Sequence, residues 1–208
     1  MILLSSSYFP NIQYLSKFFW NDKLIIEGNE NFQKQSFRNR CEILSANGKM
    51  SLFVPVVKGK DQKTKIKDVR IDYFTDWQKQ HLKSIESAYN SSPFYEYIID
   101  DILFVFKTKE PFLFDLNLKI LDVIKSYLDI DRIPIISNEY IEQSDFDYRN
   151  SIHPKSKMQK KDNDFFATKY YQTFNDKFDF IPNLSILDLL FNEGPRSRDI
   201  ILESIKKA

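Results

Sequence analysis

The sequence predicts an α+β fold in one domain, with a mainly antiparallel or mixed sheet in the N-terminal half covered by helices from the C-terminal half. Three observations predict it. Short apolar runs of strand length dominate the first third, an Asn47-Gly48 pair joins two such runs, and apolar residues recur at helical spacing from Trp77 onward. A chain of 208 residues suits a single domain over 1–208 and can bury a continuous core without disulfides or metals.

The elements follow in order. Ile2 to Ser6 reads as a short buried strand, and Tyr8-Phe9-Pro10 leads into a helix from Ile12 to Trp20 with apolar residues at 12, 15, 18 and 19. Lys23 to Glu27 is a second strand. Asn-Gly tolerates the positive φ of a tight hairpin turn, so Gln33 to Ser45 should pair with Met50 to Val57. With Ala46 opposite Lys49, Cys41 faces Val54 and Ile43 faces Leu52 on an apolar side, while Arg38, Arg40 and Glu42 share the other. A lysine-rich loop over Gly59 to Lys65 precedes a strand from Ile66 to Ile71. Trp77, His81, Ile85 and Ala88 form one stripe of a helix ending near Asn90, and Ser92-Pro93 starts another. A third helix covers Asp115 to Leu128, and Ile133 to Ser137 is a further strand. The polar stretch Asn138 to Lys161 reads as a mobile loop. Ser185 to Phe191 is helical, with Asn183 or Ser185 as cap and Asp188 on its surface. Gly194-Pro195 ends it before a last helix from Ser197 to Lys206.

Composition narrows the function classes. Lys plus Arg number 30 against 29 for Asp plus Glu, so no global charge steers the chain to nucleic acid. Four glycines leave no room for a glycine-rich phosphate loop, and one cysteine with two histidines offers no zinc cluster. No metal or cofactor is expected; magnesium held through a substrate phosphate is the one route left open. Met1-Ile2-Leu3-Leu4 has no basic flank and is far short of the ~20 apolar residues of a membrane span. A soluble cytoplasmic protein is the expectation.

Gln33-x-Gln35-Ser36-Phe37-Arg38-Asn39-Arg40-Cys41, Asp68-Val69-x-Ile71-Asp72, Asp76-Trp77-Gln78-Lys79-Gln80-His81, Ser87-Ala88-Tyr89 and Ser92-Pro93-Phe94 resemble the WbqC-like family. Tyr8-Phe9-Pro10, Ile152-His153-Pro154-Lys155 and the run Pro182 to Pro195 extend the resemblance over nearly the whole chain. It implies a bacterial protein of surface-polysaccharide or O-antigen clusters, with a glycine-transferase role suggested for one branch. At the N-terminus the chain reads Ser7-Tyr8-Phe9-Pro10 where other members have Gln-Pro-x-Tyr-x-Pro.

The candidate site residues come from these motifs. Arg38 and Arg40 suit bidentate grip of a phosphate or carboxylate, or form a solvated sheet face. His81 is the acid/base candidate, with Asp72 to orient it, and a buried histidine bonded to a carbonyl is the structural alternative. Tyr8, Asn39, Gln78 and His153 complete the expected substrate-binding set. Cys41 is a core residue by register and not a nucleophile. The expected partner is a small molecule such as a nucleotide sugar, whose amino sugar would take an aminoacyl or acyl group as the resemblance implies; a non-catalytic anion-binding or assembly protein using the Arg38/Arg40 face is the alternative.

Overall fold

The computed structural model describes residues 1–57 and 63–206. Its central sheet has the order β5-β2-β1-β6, with every neighbouring pair parallel. β1 (Ile2–Ser5) and β2 (Leu24–Glu27) are buried along their whole length, as suits strands covered on both faces. The stretch between them carries α1 (Ile12–Ser16), the crossover that parallel pairing requires. Asn11 caps α1 by accepting from the Tyr14 amide at 2.9 Å. The edges, β5 (Ile135–Ile136) and β6 (Phe146–Asp147), are only two residues long, which limits exposed backbone.

The hairpin forms a separate two-stranded sheet of β3 (Arg40–Ser45) and β4 (Gly48–Phe53). The α+β class is thus realised as a parallel sheet plus an antiparallel hairpin. The register differs from the expected one by two: Cys41 faces Leu52, Ile43 faces Met50, and Ser45 faces Gly48. The turn closes on Ala46 and Asn47, and Gly48 at φ 96° takes the left-handed conformation that glycine alone adopts freely. A slip of two preserves the faces. The predicted polar face is nevertheless not solvated. Arg38 lies in a turn before the strand, Glu42 is buried, and each arginine is paired with its own carboxylate, Arg38 with Glu30 and Arg40 with Glu42.

α2 (Trp77–Tyr89) buries Trp77, His81, Ile85 and Ala88, the predicted stripe. α3 (Tyr95–Ile102), α4 (Phe104–Lys107) and α5 (Leu113–Tyr127) follow, then α6 (Ile186–Glu193) and α7 (Ser197–Glu203). α7 stops short of Lys206 because Ile205 turns to bridge Phe165. The predicted strand over Ile66–Ile71 is instead a short 3-10 turn followed by single bridges, Val56 to Ile71 and Arg70 to Phe112. The lysine-rich loop falls largely outside the described residues. Asn138 to Lys161 is not simply a loop: it supplies β6 and buries Arg149, Ile152 and His153. Asp188 is not on a helix surface but fully buried, and the α6 cap is Ser185.

Two outcomes test this packing. Cys41 is 1% exposed and burial pushes its thiol up, so a thiol reagent should label it only on unfolding. At Gly194, φ is 51° and a Cβ would drive into the Phe94 ring. Gly194→Ala should therefore lose about 1–3 kcal/mol in chemical denaturation.

Candidate functional site

The carboxyl ends of the parallel strands converge on a buried charge centre, where α/β sheets commonly place ligands. β2 ends in Glu27, which is 0% exposed. Its carboxylate accepts from the Asn29 amide and the Ile141 amide, each at 2.8 Å, and from the Ser137 hydroxyl. Arg38 makes a two-pronged pair with Glu30, Nε to Oε1 at 2.8 Å and Nη2 to Oε2 at 2.5 Å. Beyond β6, Arg149 donates to Asp147 through Nε at 3.0 Å and Nη2 at 2.6 Å, to the Ile141 carbonyl at 2.8 Å, and lies 3.7 Å from Glu27. Burial would raise the Asp147 carboxyl, but the Arg149 bonds outweigh it and hold the group below its ordinary range. A cavity of about 10 Å³, room for one water-sized group, lies among Ser5, Ser6, Ser7, Arg38, Tyr148 and Arg149.

His153 sits at this end of the sheet, 5% exposed. The Lys155 amide donates to its Nδ1 at 3.0 Å, which leaves the proton of the neutral ring on Nε2. Burial lowers its pKa, and the positive charges of Arg38, Lys155 and Arg40 lower it further. Arg38, Arg40 and His153 thus share one electrostatic neighbourhood. Arg40 is paired with Glu42, which also takes Lys49 at 2.9 Å, and its guanidinium stacks on Phe53 at 5.2 Å.

The remaining predicted residues lie elsewhere. Tyr8 and His81 meet inside the core, hydroxyl to Nδ1 at 3.0 Å, with the Trp77 ring beside both. Burial lowers the pKa of the ring, and the nearby Phe53 carbonyl opposes that shift only in part. Asp72 does not orient it; the carboxylate accepts from the Phe74 amide at 2.8 Å. Gln78 donates to the Val105 and Thr108 carbonyls at 2.8 and 2.6 Å, holding the end of α4. Asn39 donates to the Val54 carbonyl at 2.9 Å and steadies the base of the hairpin.

The WbqC-like protein family matches residues 5–160 of the chain. The chain belongs to that family. A protein of Mycobacterium tuberculosis, described as uncharacterized protein Rv1507c, is 26% identical over 223 residues, covering 96% of each chain. No solved structure matches. The part shared with the WbqC-like family contains the whole charge centre, from Ser5 to Arg149, together with His153 and the Tyr8–His81 pair.

The motifs of this WbqC-like chain did not point to Glu27, Glu30 or Arg149. One signal was present: a glutamate closing the apolar run Leu24-Ile25-Ile26, and three serines closing Ile2-Leu3-Leu4, place polar groups at two strand ends. Arg149 carries no such mark. Asp188 is held by Tyr89 at 2.8 Å, Tyr170 at 2.7 Å and Gln172 at 3.0 Å, three partners too distant in sequence to be read as a motif.

His81 gives a pH signature. Burial pushes its pKa down to about 4, so the folded state binds fewer protons than an unfolded chain titrating near 6.5. Stability should fall as pH drops from about 6.5 to about 4, by roughly 3 kcal/mol from this group, and level below that. In an NMR titration the His81 ring signals should stay flat from pH 8 to about 5.

Proposed function

We propose that this protein binds a small anionic ligand at the carboxyl end of its parallel sheet, where His153, Arg40 and Lys155 lie at the margin of the buried charge centre. The observation that carries this reading is the state of His153. Its neutral ring holds the proton on Nε2 among three cations, so it offers a donor to a phosphate or carboxylate oxygen and not a base. An anion arriving there meets favourable charge without breaking the buried Arg38–Glu30 pair. The placement of Tyr8, His81, Gln78 and Asn39 in structural roles favours binding over catalysis.

A finer reading names the ligand as a nucleotide-linked amino sugar and the activity as transfer of an aminoacyl or acyl group, glycine among them, onto its amine in surface-polysaccharide assembly. It is supported by the family resemblance and by the position of the site at the strand ends, where α/β enzymes carry their chemistry. A cytoplasmic location accords with such a substrate, and no described helix is long and apolar enough to cross a membrane.

Calorimetric titration of inorganic phosphate and of a nucleotide-linked amino sugar tests the first reading. Both should bind saturably, and His153→Gln and Arg40→Lys should each weaken binding by about tenfold, since neither replacement reproduces the donor geometry. His153→Gln removes a buried acceptor of the Lys155 amide and should cost about 1–3 kcal/mol of stability, so the comparison of binding is made on folded protein well below its melting temperature. Absence of binding by either probe would refute the proposal. Incubation of the sugar nucleotide with activated glycine, followed by mass spectrometry, tests the transfer reading through the gain of one glycyl group.

A further inference from the structure

The cavity among Ser5–Ser7 and Tyr148–Arg149 holds one water-sized group, too little for a phosphate, let alone a sugar. A phosphate held by His153 and Arg40 at the margin can extend into this cavity only if a wall moves. The wall formed by Tyr148, Arg149 and Ile152 continues into residues 154–164, where Lys155 to Lys161 are all exposed. Few contacts hold this stretch down. Gln159 donates to the His153 carbonyl at 2.8 Å, the Lys155 amide to His153 Nδ1 at 3.0 Å and the Lys206 amide to the Asp164 carbonyl at 3.0 Å, a 3-10 turn covers Ser156–Met158, and Asp162 reaches back across the chain.

Asp162 makes the one contact there with a buried charge. Its carboxylate lies 2.6 Å from Nζ of Lys17, whose side chain is 0% exposed, and it also accepts from Gln13 Nε2 at 2.9 Å. The Lys17 ammonium is boxed by two rings, 4.6 Å from Trp20 and 4.5 Å from Tyr148. Tyr148 is itself a wall of the cavity. One ion pair therefore ties the outer segment to the wall that must give way.

We propose that residues 154–164 are a strap beside the anion site, carrying its Lys155, and that the Lys17–Asp162 pair is its latch: lifting the strap frees Tyr148 and widens the neighbouring cavity so that a ligand held at the margin can extend into it. The identity of what enters rests on the anion-binding reading above; the motion does not. Burial lowers the Lys17 pKa and the Asp162 carboxylate opposes that shift, so the pair holds the ammonium charged where burial alone disfavours it. A strap that opens a fraction of the time also weakens apparent affinity by that fraction.

Hydrogen exchange on the full chain, without ligand, tests the latch. Asp162→Asn should raise exchange at the amides of Lys155, Met158 and Gln159 by at least roughly tenfold while those of β1, β2 and α5 stay unchanged. The double variant Lys17→Met with Asp162→Leu removes both charges and should restore parental protection through apolar contact. Unchanged exchange in the segment, or an equal rise throughout the sheet, would overturn the proposal. In the parent protein the strap amides should already exchange well ahead of those in β1, and equal rates would count against the strap even if Asp162→Asn failed to fold. Titration of inorganic phosphate separates the two ideas. Tighter phosphate binding by Asp162→Asn, by the same factor as the gain in opening, supports both; a strap that opens without any phosphate binding supports the latch and defeats the anion reading.

Discussion

The buried charges at the carboxyl ends of the parallel strands set the terms for the rest of the fold. A sheet whose two edge strands are two residues long has little backbone pairing to fix its outer register. Side chains do that work instead. Glu27 at the end of β2 takes its hydrogen bonds from Ser137 and Ile141, just after β5, while Arg149 after β6 reaches Asp147, Glu27 and the Ile141 carbonyl. The pair of Arg38 and Glu30 joins the hairpin entry to the same point, and the Arg149 carbonyl accepts from Arg38 at 3.3 Å. Taking such ions out of water costs several kcal/mol each, and only close, multiple bonds offset that. The cost makes the arrangement specific, since any other pairing of the ends leaves a charge buried alone.

The same constraint limits what a ligand can use. Removing one partner from a buried pair costs about 3–5 kcal/mol, so Arg38 cannot be lent to a phosphate without losing Glu30. The sequence pattern of two arginines two residues apart suggests a grip on one anion, yet the backbone turns between them, and each has an internal carboxylate. On the proposed anion-binding reading, recognition is left to the margin: the Nε2 proton of His153, the partly exposed Arg40, and the lysines of the following segment.

Much of the element order was legible, because it depends on local pattern. β1, β2, the hairpin, α2, α5 and α6 all come from apolar spacing and caps that act within a few residues. The hairpin register was misread by two, since Asn47-Gly48 suggested a turn centred on that pair while Gly48 alone takes positive φ. Face assignments survived because two residues restore the alternation. The direction of the main sheet was not legible in the same way. β1 and β2 are uniformly apolar, which fits any strand buried on both sides, and β6 hides in a polar stretch whose two strand residues are fixed by Ile2 and Leu3. The site suffered similarly. Tyr8 and His81 were singled out separately, but their contact spans 73 residues and joins them as a structural pair.

Asp188 shows the other way this chain buries an acid. Among the described residues no cation pairs with it; three neutral donors, Tyr89, Tyr170 and Gln172, hold the carboxylate, and Tyr89 also accepts from the Leu44 amide at 3.1 Å. Burial raises the pKa, and the hydrogen bonds only partly oppose it. A carboxyl whose folded pKa exceeds its unfolded one adds stability below the unfolded value, and that contribution is lost as pH rises through the folded value. His81 has the reverse dependence, because its folded pKa is depressed. The two groups lie at opposite ends of one hairpin: His81 lies near the Phe53 carbonyl at the end of β4, and Asp188 reaches the Leu44 amide in β3 through Tyr89. Proton uptake by His81 therefore lowers the stability of the fold while proton uptake by Asp188 raises it, so the two ends of the hairpin carry groups of opposite pH sense.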